Sequence, residues 1–124
     1  PAAGFVSVGS SILIGFIAAL ISNWALTVKQ RTTIDDTLDV FPCHGLGGIV
    51  GMMLTAVFAK DVGLIAGETK TFWMHLLALV LVMVFCFVGS YVLYIVSNFI
   101  KPMRVHEEEE RQGLDLSQHG ESVV

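Results

Sequence analysis

The sequence predicts an all-α membrane protein with three transmembrane helices and a polar tail, and two observations carry that prediction. The 124 residues are 54% hydrophobic with a mean hydropathy of +0.73, whereas soluble domains are typically about 45–50% apolar. Asp, Glu, Lys and Arg are also absent from three long windows, residues 1–28, 40–59 and 71–100. Each window is long enough to cross a bilayer core, which needs roughly 20 apolar helical residues.

A soluble protein with three buried helices is the alternative interpretation of these windows. Such a protein would need further chain to cover the apolar helices on all sides, and too few residues remain for that. We therefore predict a transmembrane region over residues 1–101, with spans at about 7–28, 36–59 and 71–100, and a separate tail over residues 102–124.

The predicted spans have recognisable ends. Trp24 lies near the end of the first span, at a depth that aromatic side chains with a polar edge favour. Asp35 or Asp36 is a suitable N-cap for the second span, because a carboxylate satisfies free N–H groups at the positive end of a helix. The third span is about 45 Å long as a helix and must tilt or project beyond the bilayer.

Basic residues give the orientation of the spans. One side carries four of them and the other side two: Lys29, Arg31, Lys101 and Arg104 against Lys60 and Lys70. Cytoplasmic loops are enriched in Lys and Arg, so the tail is predicted to be cytoplasmic.

The tail begins at Pro102, which ends the third helix. A charged run follows from His106 to Arg111. Two interpretations stay open, a disordered acidic tail or a segment that docks on cytosolic partners or neighbouring subunits. Because the chain begins at Pro1 without Met, we interpret it as a fragment or a processed product.

The candidate functional residue is His44, in the second span. It follows Asp35 by about nine residues, so a helix beginning there would place it about 13 Å along the axis, near mid-bilayer. An ionisable group at that depth usually faces a cavity, a pathway or a partner. Its imidazole can hold or pass a proton near neutral pH, and the alternative is a histidine that serves packing.

Small residues surround His44 on this span. Gly47 and Gly51 form a G-x-x-x-G pair, and Gly48 lies one turn from His44; residues of this size let helices approach closely. We assign these glycines to packing rather than to substrate binding. With Thr55, His44, Gly48 and Gly51 are predicted to share one helix face that points into a helix bundle.

Pro42 and Asp39 precede His44. Pro42 lacks an N–H, so the carbonyl of Leu38 loses its usual partner and the span should bend just before His44. Asp39 is expected to serve helix capping or structural hydrogen bonding, and a role as a proton relay is the weaker alternative.

Three motifs together resemble the ammonium transporters of the Amt/Mep/Rh family. Residues 35–51 read D-D-x-x-D-V-F-x-x-H-G-x-x-G-I-V-G, which is similar to the signature of that family. The segment from Pro1 to Val6 resembles the start of its ninth helix. Residues 110–121 read E-R-x-G-L-D-x-x-x-H-G-E, similar to its cytoplasmic C-terminal motif.

The resemblance implies that the three spans are helices nine to eleven of an eleven-helix bundle. Members form homotrimers with one narrow hydrophobic pore per subunit, lined by two facing histidines. His44 corresponds to the second of these, and the first lies on helix five, outside this chain. The implied function is ammonium recruitment, deprotonation and passage of ammonia, with the proton moving separately. Neither enzymatic catalysis, nor a cofactor, a metal or nucleic acid is implied.

The resemblance also bears on regulation and location. Ser117 occupies the place of a threonine that is a phosphorylation switch in plant members, and family members meet PII-type nitrogen signal proteins at their cytoplasmic face. The implied location is the plasma or inner membrane. Thr37, where many relatives have proline, and Cys43, where they have a small residue or valine, are modest departures.

Two alternatives to a transporter remain. One is an ammonium sensor of the same fold, often distinguished by a signalling domain after the last helix, which the tail to Val124 does not contain. The other is a non-conducting structural fragment, because three helices alone leave the His44 face unpaired.

Overall fold

The computed structural model describes residue 2 and residues 4–121, and every element within them is helical. Helix α1 spans Val8–Lys29, a π-helical turn spans Phe41–Leu46 and leads directly into α2 at Gly47–Phe58, and α3 spans Lys70–Ile100. A short 3-10 turn, Leu64–Ala66, lies between α2 and α3. The tail holds α4, Glu107–Gln112, and a second π-helical turn, Asp115–His119.

Three of these helical segments are long and apolar enough to cross a membrane. They contain 22 residues in α1, 18 in the π-turn with α2, and 31 in α3, and no strand occurs in the described residues. The prediction of an all-α chain with three such helices is confirmed. At about 1.5 Å per residue their lengths are roughly 33, 27 and 46 Å.

The second helical segment begins later than expected, at Val40 and Phe41 instead of near residue 36. Thr37 and Leu38 form a turn, and Asp39 has a left-handed backbone with a φ of 53°. Since a helix cannot continue through a residue with positive φ, residues 36–39 stay outside it. Pro42 therefore lies in the first helical turn, where its missing N–H has no bond to lose, so the reason given for a bend just before His44 does not apply.

The chain divides into two compact units, one up to Met83 and the other from Val84. In the first unit, α1 and the segment formed by the π-turn and α2 pack side by side as an antiparallel pair. Their interface is small: Ile14, Thr55 and Ala56 are buried, together with Val6 and Ala59 at one end. Most large apolar side chains are exposed, as expected where lipid or further helices would cover them.

Helix α3 has no buried residue, and its exposed side chains are almost all apolar. Charged residues are confined to its first position, Lys70. An 18-residue stretch of α3 has a mean hydropathy of 2.7, higher than the corresponding stretches of the other two spanning segments. Its length exceeds a hydrocarbon core of about 30 Å, which agrees with the expected tilt or projection.

The second unit contains the tail helix α4. His106 precedes α4 as its N-cap residue, and the side chain of Glu109 accepts a hydrogen bond from the His106 N–H at 3.1 Å. Arg111 donates to Glu107 one turn earlier at 2.7 Å. The acidic run is therefore helical, with four glutamates in its first turn where the helix dipole favours negative charge.

Candidate functional site

His44 lies in the π-helical turn that opens the second spanning segment, and its side chain is exposed. It follows the helix start at Val40 by four residues, which is roughly 6 Å along the axis. The expected distance of about 13 Å from a start at Asp35 is therefore wrong, because the helix begins five residues later. Single π-turns within helices occur often at functional sites.

The glycines after His44 lie in different surroundings. A Cβ atom added to Gly47 would lie 3.2 Å from Ser22 Oγ on α1, whereas one added to Gly48 would meet nothing within 4 Å. Gly51 is buried. The absence of a side chain thus lets α1 approach at Gly47, while Gly48 has open space and no packing role in the described structure.

The face predicted to carry His44, Gly48, Gly51 and Thr55 is only partly covered. Thr55 and Gly51 are buried, and the Thr55 hydroxyl donates to the Gly51 carbonyl at 2.6 Å. His44 and Gly48 are exposed. On this face, the part near His44 is thus open within this unit, and the part near Thr55 is packed.

Gly45, next to His44, has a role that the sequence did not reveal. A Cβ atom added to Gly45 would lie 3.0 Å from Cδ2 of Phe41. The Phe41 ring therefore packs over Gly45, one helical turn away. The spacing of four residues between an aromatic residue and a glycine is the signal that could have indicated this contact.

Asp36 caps the helix that carries His44. Its two carboxylate oxygens accept hydrogen bonds from the N–H groups of Val40 and Phe41, each at 2.9 Å. These bonds, from Phe41 first and then Val40, hold the pKa of the Asp36 carboxyl below its ordinary value. Of the two predicted caps, Asp36 is the one that makes these bonds, although it lies four residues before the helix begins.

Asp39 forms an ion pair with Lys29, the last residue of α1. The Lys29 ammonium lies 2.9 Å from Asp39 Oδ1 and also donates to the Asp36 carbonyl. Both side chains are partly buried, with 19% of Lys29 and 32% of Asp39 exposed. Asp39 thus accepts a hydrogen bond from Lys29, a residue that served in the sequence only to predict the orientation of the spans.

A cavity of about 720 Å³ lies beside this ion pair. Trp24, Phe41 and Pro42 provide apolar walls, and Asp35 and Asp36 also line it. His44 is not among its lining residues. The open face of His44 and this cavity are therefore separate features of the first unit.

Ser117 lies in the tail unit, in the π-helical turn Asp115–His119. Its hydroxyl donates to the Gly113 carbonyl at 3.0 Å, and the side chain is half-buried. Over the described residues no group of His, Cys, Asp and Glu side chains is arranged to hold a metal ion.

Comparisons with known proteins give the family of the chain. Residues 1–124, the whole chain, match the Ammonium Transporter Family. The chain is 37% identical to an ammonium transporter of Bacillus subtilis and 39% identical to one of Aquifex aeolicus, with 99% of the chain covered in both. It is also 37% identical to ammonium transporter 2 of Schizosaccharomyces pombe, over 98% of the chain.

These matches cover only part of each relative: 32% of the Bacillus protein, 30% of the Aquifex protein and 27% of the Schizosaccharomyces protein. The chain thus spans about a third of the length of the curated relatives it matches. With three apolar helices and a match over its full length, this chain belongs to the ammonium transporter family of membrane proteins.

Proposed function

We propose that this chain provides helices nine to eleven and the cytoplasmic tail of an ammonium transporter, and that His44 lines its ammonia pathway. The observation that carries the proposal is the position of His44. His44 is an exposed titratable residue on a helical segment that is otherwise apolar and uncharged. On the same segment, Gly47 faces α1. Ionisable side chains in spanning helices usually face a polar pathway or a partner, and this supports a pathway beside the exposed imidazole of His44.

The chemistry of ammonium favours a neutral imidazole at such a position. Removing water from a cation in a narrow apolar passage is costly, whereas neutral ammonia loses far less. A neutral imidazole offers one N–H donor and one N acceptor, so it can hydrogen-bond ammonia or receive its proton. The role of His44 is therefore to bind and deprotonate, and no covalent chemistry is required.

The remaining parts of the pathway belong to the complete protein. We propose that a second histidine faces His44 from helix five and that three copies assemble, each with its own pore. The four basic residues Lys29, Arg31, Lys101 and Arg104 support an orientation with the loop between α1 and α2, and the tail, in the cytoplasm of a plasma or inner membrane.

The tail is proposed as the regulatory part. A phosphate on Ser117 would remove the hydroxyl bond to Gly113 and place new charge two residues from Asp115. The same face is proposed to meet a PII-type signal protein. Mass spectrometry of the protein from nitrogen-rich and nitrogen-starved cells tests the modification, and Ser117 unmodified in both conditions would remove its support.

Transport itself is tested by the uptake of radiolabelled methylammonium into cells that express the complete protein. The proposal predicts saturable accumulation, above cells without the protein, that ammonium inhibits competitively. An ammonium sensor of the same fold would accumulate none, and absence of uptake from correctly localised protein would overturn the proposal.

A further inference from the structure

Three side chains connect the end of α1 to the start of the histidine-bearing segment, and we propose that Lys29 is a positioning residue for His44. This inference rests on the proposed function of His44. The three residues Lys29, Asp36 and Asp39 are called the polar latch below. Within it, a hydrogen bond joins Lys29 to Asp39, which lies ten residues later in the sequence.

The first step of the connection is the contact from α1 to the loop. Lys29 is the last residue of α1, and its ammonium binds both the Asp39 carboxylate and the Asp36 carbonyl. One cation thus holds two points of the loop at once. Because the two side chains are partly buried, with 19% of Lys29 and 32% of Asp39 exposed, solvent weakens this pair less than a fully exposed pair.

The second step is from the loop to the helix. Asp39 has a φ of 53°, a conformation that only glycine and, less often, Asn and Asp adopt readily. The ion pair holds this residue in place, and the next residue, Val40, begins the helix. The Asp36 carboxylate binds the N–H groups of Val40 and Phe41 at 2.9 Å. The polar latch therefore fixes where the helix starts and how its first turn is rotated.

The third step is from the first turn to His44. The Asp39 carbonyl accepts a hydrogen bond from the Cys43 N–H at 3.1 Å, and the Phe41 ring packs over Gly45. His44 lies between Cys43 and Gly45 in the chain, so the direction of its side chain depends on how those two residues are held. Lys29 contacts neither His44 nor the proposed substrate, and it acts only through Asp36, Asp39 and the π-turn.

Loss of the Lys29 charge should lower the maximal rate of transport per folded protein. It should not change how the protein recruits its substrate. The recruitment site lies outside this chain in the proposed transporter, so the half-saturating ammonium concentration should not change. A displacement of about 1 Å at a reacting group can lower a rate by up to about a hundredfold. We expect Lys29→Met to lower the maximal ammonium current roughly tenfold, with half-saturation unchanged.

The experiment uses the complete transporter in proteoliposomes, with current normalised to the amount of reconstituted trimer. Lys29→Arg keeps a cation that can bind both acceptors and should retain most of the current. Arg31→Met is the matched control, because it removes the same charge two residues away, at an exposed position, and Arg31 forms no ion pair in the described part of the chain. It should leave the current unchanged.

Asp39→Asn separates charge from conformation, because Asn tolerates the left-handed backbone but cannot form the ion pair. It should reproduce the loss seen with Lys29→Met. A combined Lys29→Met and His44→Ala variant should carry the same current as His44→Ala alone, because positioning is irrelevant once the imidazole is absent.

The outcomes separate this inference from the proposed function. A normal current per trimer in Lys29→Met, or equal losses in Lys29→Met and Arg31→Met, would overturn the positioning role while transport stands. Where His44→Ala leaves a potassium current, a further fall of that current when Lys29→Met is added would also overturn it. Absence of both current and methylammonium uptake in the unsubstituted protein would overturn the proposed function and this inference with it.

Discussion

The antiparallel pair of α1 and the second helical segment is held together differently at its two ends. At one end, in the polar latch, the Lys29 ammonium donates to the main-chain carbonyl of Asp36 and to the carboxylate of Asp39. At the other end, called the backbone end below, the Lys60 N–H donates to the Phe5 carbonyl at 2.9 Å, and Val6 and Ala59 are buried. Side-chain chemistry sets the first end, and main-chain bonds with close packing set the second.

The difference follows from what each end has to do. Main-chain bonds form with almost any residue, so the backbone end fixes the fold but discriminates little between side chains. The polar latch depends on one cation and two carboxylates, so a single substitution can alter it. His44 lies near that end. The adjustable junction of the helix pair is therefore the one beside the proposed ammonia pathway.

The largest effect on stability is expected at Gly63, whose N–H donates to the Ala59 carbonyl at 3.0 Å and which therefore lies at the backbone end. A Cβ atom added there would lie 2.5 Å from the Ala59 carbonyl oxygen and 2.7 Å from the Ala59 nitrogen. Backbone atoms cannot rotate away, so Gly63→Ala should destabilise the protein by about 1–3 kcal/mol, the usual cost of overpacking. Thermal unfolding of the complete protein in detergent measures this.

Gly89→Ala is the matched control for that substitution, because nothing lies within 4 Å of its Cβ position on α3. Alanine is a better helix former than glycine, so the control should be neutral or slightly stabilising. Equal melting temperatures for the two variants would show that the backbone end tolerates rearrangement. The stated difference between the backbone end and the polar latch would then be wrong.

A smaller effect is expected at Gly47, between the two ends. A Cβ atom there would lie 3.2 Å from Ser22 Oγ, a side-chain atom that can move. Gly47→Ala should therefore lower the melting temperature of the complete protein in detergent slightly, and adding Ser22→Ala should restore it. Failure of Ser22→Ala to compensate would show that α1 does not approach at this point.

Gly48→Leu is predicted to act on transport instead of stability. Gly48 is exposed, with open space around its Cβ position, near the exposed His44. A leucine there should leave the melting temperature unchanged and reduce methylammonium uptake by obstructing the proposed pathway. Unchanged uptake together with unchanged stability would place the pathway elsewhere.

The smallest effect is expected from titration of Asp36 in the polar latch. Because its folded pKa lies below the ordinary value of 3.8, Asp36 stabilises the fold above that pH, and this contribution is lost as the pH falls through the folded pKa. Melting curves of the unsubstituted protein and Asp36→Ala should differ by a few degrees at pH 6 and converge below pH 3.8. A constant difference across this range would show that the carboxylate does not cap the helix.

The sequence predicted the number and type of the spanning helices because charge-free windows of sufficient length have few other structures available. It predicted the end of the first span within one residue, at 28 against Lys29. It did not predict where the second helical segment begins. The hydrophobic pattern does not distinguish a first helical turn over residues 36–39 from the loop that forms there, in which Asp39 has a left-handed backbone and Asp36 caps the helix. Nor could it pair Lys29 with Asp39, since that contact depends on how the loop folds back.

Whether His44 lines an ammonia pathway is tested most directly by ammonium-evoked current in proteoliposomes that hold the complete transporter, with His44 intact and with His44→Ala. The account predicts that the substitution abolishes the current or lets potassium carry it, with trimer yield and melting temperature unchanged. An unchanged ammonium-selective current would contradict it and reduce His44 to a histidine that only fills space between helices.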